Sequence, residues 1–121
     1  MKLFEELIFD QTVRSTTEVL SRPEFDELLG KADEIVYEVE VEESSGSAPT
    51  VSFRHHSSNS GKGFVAQSLL INAADISTNA LPYRNVVAQT TVIGGRGRVG
   101  ITLGGTTPTA RVRVWACGRT K

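Results

Sequence analysis

The chain has 121 residues, 39% of them apolar and 22% charged, which suits one soluble domain with a single core. Its one cysteine, Cys117, excludes an internal disulfide framework and a multi-cysteine zinc site, and no apolar run approaches the ~18 residues that span a bilayer. The formal net charge of −1 hides a split: residues 1–50 hold 13 acids and 4 bases, whereas residues 51–121 hold 1 acid and 9 bases. Two halves that neutralise each other within one domain would accommodate this, as would opposite faces that join neighbouring copies.

In chain order, Leu3 to Phe9 (LFEELIF) fits a strand or a helical turn, being too short for periodicity to decide. It lacks the length and cleavage site of a secretion signal, so the chain is expected to stay in the cytosol unless it leaves as part of a particle. Residues 1–10 are expected to form a docking arm. Leu3, Phe4, Leu7, Ile8 and Phe9 are too apolar for a free tail and should pack on the domain or on another subunit. Thr12 to Ser21 is β-branched and reads as a strand. Ser21-Arg22-Pro23-Glu24 has the spacing of a capping box, opening a short helix over residues 22–29 that ends at Gly30. The alternative is a loop with Phe25, Leu28 and Leu29 tucked inward.

Glu34 to Glu43 alternates Ile35, Tyr37, Val39 and Val41 against Glu38, Glu40 and Glu42, which is a half-buried strand. Three like charges on one face call for a cationic neighbour, and the strand carrying Arg111 and Arg113 is the natural one. Ser44 to Pro49 reads as a turn, Thr50 to His56 as a strand, and Ser57 to Gly63 as a polar loop. Phe64 to Asn72 and Tyr83 to Ile93 are further strands, joined through Ala73 to Pro82. Gly94-Gly95 leads into Arg96 to Arg119. There Val99, Ile101 and Leu103, then Ala110, Val112, Val114 and Ala116, alternate with polar residues around Gly104-Gly105-Thr106-Thr107-Pro108. This pattern predicts a β-hairpin pairing Leu103 or Ile101 with Ala110, its outer face carrying Arg98, Arg111, Arg113 and Trp115. Seven or eight strands without a βαβ rhythm give an all-β chain, an antiparallel β-sandwich of jelly-roll type, in one domain over residues 1–121.

Chemistry-bearing groups are sparse. His55 and His56 are the only histidines and, as strand neighbours, point to opposite faces, so they cannot share a metal. His55 shares the inward Val51/Phe53 face. Asp75 and Asn79 fit Asx-type turn bonding better than a calcium site. The run Gly94 to Arg98 lacks the lysine and helix of a phosphate loop. No nucleophile–base–acid set can be assembled, so no enzyme, cofactor or metal site is expected. The acidic first half opposes non-specific nucleic-acid binding by the arginines.

Two phrases carry a resemblance: Ser45-Gly46-Ser47-Ala48-Pro49-Thr50, and Thr102 to Pro108 followed by Ala110-Arg111-Val112-Arg113-Val114-Trp115. Over residues 33–118 the chain resembles small β-sandwich accessory proteins of tailed-phage virions, which decorate heads or build tail parts. The Arg-rich segment and the acidic first half depart from that pattern. The resemblance implies a non-enzymatic structural protein located in the virion and assembled in host cytoplasm. It would form a homo-oligomer, a trimer or larger, and bind a major capsid or tail protein. The residues assigned to partner binding are Glu38, Glu40, Glu42, Arg98, Arg111, Arg113, Trp115, Leu3, Phe4, Leu7 and Phe9. The alternative from another class is a carbohydrate-binding β-sandwich module, which would need exposed aromatics on which sugar rings stack.

Overall fold

The computed structural model describes residues 1–59 and 62–120; residues 60 and 61 of the expected Ser57–Gly63 loop lie outside the described residues. The fold is all-β and antiparallel. Its strands are β1 (Lys2–Val13), β2 (Val19–Leu20), β3 (Glu34–Ser58), β4 (Val65–Asp75), β5 (Tyr83–Gln89) and β6 (Arg96–Arg119), with one short helix, α1 (Asp26–Gly30). All six strands belong to one hydrogen-bonded sheet. The architecture is therefore described by a single bent sheet, and the jelly-roll strand order goes beyond this connectivity.

Two strands organise everything else. β3 and β6, 25 and 24 residues long, pair with each other from Glu34↔Arg119 to Ser58↔Arg96. Both bend at the same level. The register breaks between Ser45 and Thr50, and positive φ occurs at Gly46, Ala48, Gly105 and Thr107. Gly46 and Gly105 supply the left-handed conformations that let the ribbon kink without losing its partner.

The expected hairpin within Arg96–Arg119 is not formed. Its two halves are one strand, and each pairs with β3. The Gly-Gly-Thr-Thr-Pro segment is a bulged bend rather than a turn, because Ser45 to Pro49 kinks opposite it and keeps the ladder continuous. The alternation itself is borne out: Val99, Ile101, Leu103, Ala110, Val112, Val114 and Ala116 are all buried.

The bend divides the sheet into two halves. In the first, the strand order is β1, β6, β3, β5. In the second, β2 flanks β6 and β4 flanks β3. The inner faces meet, with the Tyr37 ring edge-on to Phe53 at 5.0 Å between centroids. Ile35, Tyr37, Val39 and Val41 thus bury against Val51, Phe53, Ile101 and Leu103, and Leu29 and Ile76 complete the same core. Burial of this apolar set is the main driving force for closing the bent ribbon.

Other segments refine the sequence-based expectations. The N-terminal arm is a strand and docks on its own domain as β1, pairing with β6. The expected strand Thr12–Ser21 is interrupted: β1 ends at Val13 and only Val19–Leu20 resumes pairing. Ser21 does not cap the helix. Its Oγ accepts the Val99 N–H and its own N–H bonds the Val99 carbonyl, so it extends the β2 edge. A 3-10 turn, Pro23–Phe25, precedes α1. β4 runs three residues beyond Asn72, and Ser77 N–H bonds Asp75 Oδ1 in the expected Asx manner, which holds the Asp75 carboxyl below its usual range.

Candidate association surface

The outer face of the first half-sheet is built in rows set by register. One row crosses all four strands: Asp10 on β1, Arg113 on β6, Glu40 on β3 and Arg84 on β5. The charges alternate, and neighbours are bonded. Arg84 Nε donates to Glu40 Oε2 at 2.8 Å, and Arg113 Nη1 lies 3.3 Å from Glu40 Oε1 and 2.6 Å from Glu42 Oε1. Arg113 Nε stands 3.4 Å from Asp10 Oδ1, and Arg111 also pairs with Asp10. The Arg113 guanidinium, with the Glu40 contact, lowers the Glu42 carboxyl's pKa. Glu42 in turn raises that of Arg113, and Glu40 raises that of Arg84.

These pairs join acids of the first half of the sequence to bases of the second inside one domain. Arg113 sits opposite the glutamates of β3, as their alternation required. Glu40, assigned to a partner, is instead buried at 4% exposure, because Arg84 and Arg113 close over it.

The next two rows are mostly apolar, with one glutamate in each. Leu7, Trp115, Glu38 and Val86 are register neighbours, and beyond them lie Glu5, Cys117, Val36 and Ala88. Leu7 is 37% and Val86 62% exposed, and Trp115 between them is half-buried. Trp115, with Leu7 beside it on β1 and Glu38 on β3, stands on an outward sheet face next to a row that is already ion-paired, a surface suited to association.

The remaining assigned residues separate. Leu3 is exposed at a register break in β1. Phe4 and Phe9 are core residues and do not project to a partner; the breaks at Lys2/Phe4 and Leu7/Phe9 turn them inward. Arg98 does not share a face with Arg111 and Arg113, because the bend at Gly105 carries it to the second half. There it grips Asp26 of α1 through two bonds of 2.9 Å and stacks 4.4 Å over the Phe64 ring. Asp10, Arg84, Val36, Val86 and Asp26 complete these clusters and were not singled out in the sequence. Their roles depend on strand neighbours that periodicity does not name.

Two buried polar groups stand apart. His55 is fully buried, its Nδ1 2.6 Å from Tyr37 Oη, and its Nε2 and the nearby Ser57 Oγ have no hydrogen-bond partner. Burial raises the Tyr37 pKa and keeps the phenol neutral, and the imidazole tautomer sets which of Oη and Nδ1 donates. His56, on the opposite face, bonds Glu18 at 2.9 Å, and the absence of a side chain at Gly100 lets Glu18 cross the sheet to reach it.

Near the bends, Thr12, Arg14, Glu43, Ser44 and Arg111 line a hollow of about 330 Å³ whose walls are mostly exposed. Among the described residues no group of three or more His, Cys, Asp or Glu is placed to hold a metal ion, and no helix is long and apolar enough to cross a membrane. No protein-family model, curated protein or solved structure matches the chain.

Proposed function

We propose that this chain is a non-enzymatic structural protein of a virion or virus-like particle, acting as a capsid decoration or tail component. It associates with itself and seats on a major capsid or tail protein through the outer face of its first half-sheet. The observation that carries this reading is the outward row Leu7, Trp115, Glu38 and Val86, apolar except at Glu38, beside a row that is ion-paired within the chain. The phrases that resemble phage accessory proteins support it, since both form the paired bends, with Ser47 opposite Thr106. The carbohydrate-binding alternative has few aromatics to draw on, since Tyr37, Phe53, Phe4 and Phe9 are in the core and Phe64 lies under Arg98, and it would rest on Trp115.

Light-scattering mass over a wide concentration range tests the association. The parent is expected to gain mass with concentration, and Trp115→Glu to stay monomeric with its fold intact. A parent that is monomeric throughout, or a variant that associates like the parent, contradicts it. Mass spectrometry of purified virions from the source tests the particle assignment, which fails if the chain is absent from them.

A further inference from the structure

Two polar side chains inside the second half-sheet lack partners, and one glycine lies beside both. His55 Nε2 and Ser57 Oγ are buried and make no hydrogen bond among the described residues. The two residues are next neighbours but one on β3, so they share the inner face with Val51 and Phe53. Their ladder partners on β6 are Val99, opposite His55, and Gly97, opposite Ser57.

Gly97 is not needed for its backbone, since it is not one of the glycines with positive φ. What it supplies is space. The point that a Cβ would take lies 3.3 Å from His55 Nε2 and 2.8 Å from its Cε1, with Leu29 Cβ at 3.0 Å. Glycine therefore leaves a small gap on the inner face, bordered by His55 and Ser57 and covered by the fully buried Leu29 of α1.

We infer that this gap binds an internal water molecule, bonded to His55 Nε2 and Ser57 Oγ. A neutral imidazole offers a donor at one nitrogen and an acceptor at the other, and the tautomer decides which is Nε2. A hydroxyl can play either role. Water also donates and accepts, so it satisfies both groups whichever tautomer is present. An apolar side chain in the gap would leave both unpaired at full desolvation cost. A metal ion would need more ligands, and among the described residues no three His, Cys, Asp or Glu stand together. Internal waters occur about once per 27 residues and sit where buried polar groups would otherwise go unpaired.

The water completes a buried chain running from Tyr37 Oη through His55 and the water to Ser57 Oγ. That chain starts in the first half-sheet, crosses the bend and ends beneath α1. It holds or fails independently of the association surface.

A crystal structure at a resolution that shows waters tests the site. Density within ~2.6–3.2 Å of both His55 Nε2 and Ser57 Oγ is expected. A dry gap, or a direct bond between the two side chains, overturns the inference. In solution, oxygen-17 magnetic relaxation dispersion counts long-lived internal waters. Ser57→Val removes one partner and fills the gap, so the dispersion amplitude should fall by the contribution of a single water. Ser68→Val, on the exposed face of β4, should leave it unchanged. A folded Ser57→Val with the parent's amplitude overturns the site, and if that variant does not fold, the crystal structure of the parent decides.

Discussion

Tyr37 and His55 stand on opposite sides of the bend in β3, and the 2.6 Å bond between Tyr37 Oη and His55 Nδ1 joins the two halves of the sheet through the core. Burial and the neighbouring His56 push the His55 pKa from 6.5 down to about 4. Between those values the unfolded chain binds a proton that the folded one refuses, so stability is complete above pH 6.5 and falls as the pH drops toward 4. The loss reaches up to about 3 kcal/mol. Urea unfolding across this range checks it. His55→Leu combined with Tyr37→Phe should flatten this part of the profile, and the double change should cost less than the sum of the singles, since neither partner is left unpaired. A double variant with the parent's slope would contradict the assignment.

Glu40 is the hub of the ion-paired row, with Arg84 on one carboxylate oxygen and Arg113 on the other. A glutamate on an exposed strand face would tolerate neutralisation. At 4% exposure, Glu40→Gln removes the acceptor charge beneath two guanidiniums and is expected to cost about 1–3 kcal/mol. Glu38→Gln, with no ion pair of its own in the row, should change stability much less. Equal effects would mean that the row is not held at Glu40.

The bend depends on Gly105. Its φ is +105°, and a methyl there would meet the Ser47 carbonyl oxygen at 2.6 Å and that of Ala48 at 2.8 Å. Gly105→Ala should destabilise by about 1–3 kcal/mol. Gly95→Ala, where a methyl meets nothing within 4 Å, should be neutral or slightly stabilising. Thermal unfolding of the two variants separates them, and a harmless Gly105→Ala would show that the ribbon bends elsewhere.

Arg98 ties α1 to the sheet through Asp26, whose bonding raises the Arg98 pKa. Asp26→Asn should lose about 1–3 kcal/mol and speed amide exchange across Asp26–Gly30 while leaving the β3–β6 amides protected. Unchanged exchange in the helix would remove the anchoring role.

The inward residues were legible because period two sorts a strand into faces whatever its partner is. Val99, Ile101, Val112, Val114, Tyr37 and His55 are inward as read. Partners were not legible. Gly104-Gly105-Thr106-Thr107-Pro108 has the chemistry of a hairpin turn, and only the simultaneous kink at Gly46 and Ala48 makes it a bend in a continuous ladder. The same gap hid Asp10 and Arg84: the alternation of β3 predicted a cationic neighbour at Arg113, but said nothing of which strands would lie beyond it. Phe4 and Phe9 went astray because β1 breaks register twice, which alternation alone cannot anticipate.

The central claim is that the Trp115 face is where this domain meets its partner. Trp115 is the only tryptophan, so its fluorescence reports on that face alone. Emission maximum and mass are followed together as concentration rises. The emission is predicted to move to shorter wavelength in step with the gain in mass, as water leaves the indole. Association with the Trp115 emission unchanged would place the contact on another surface and contradict the claim.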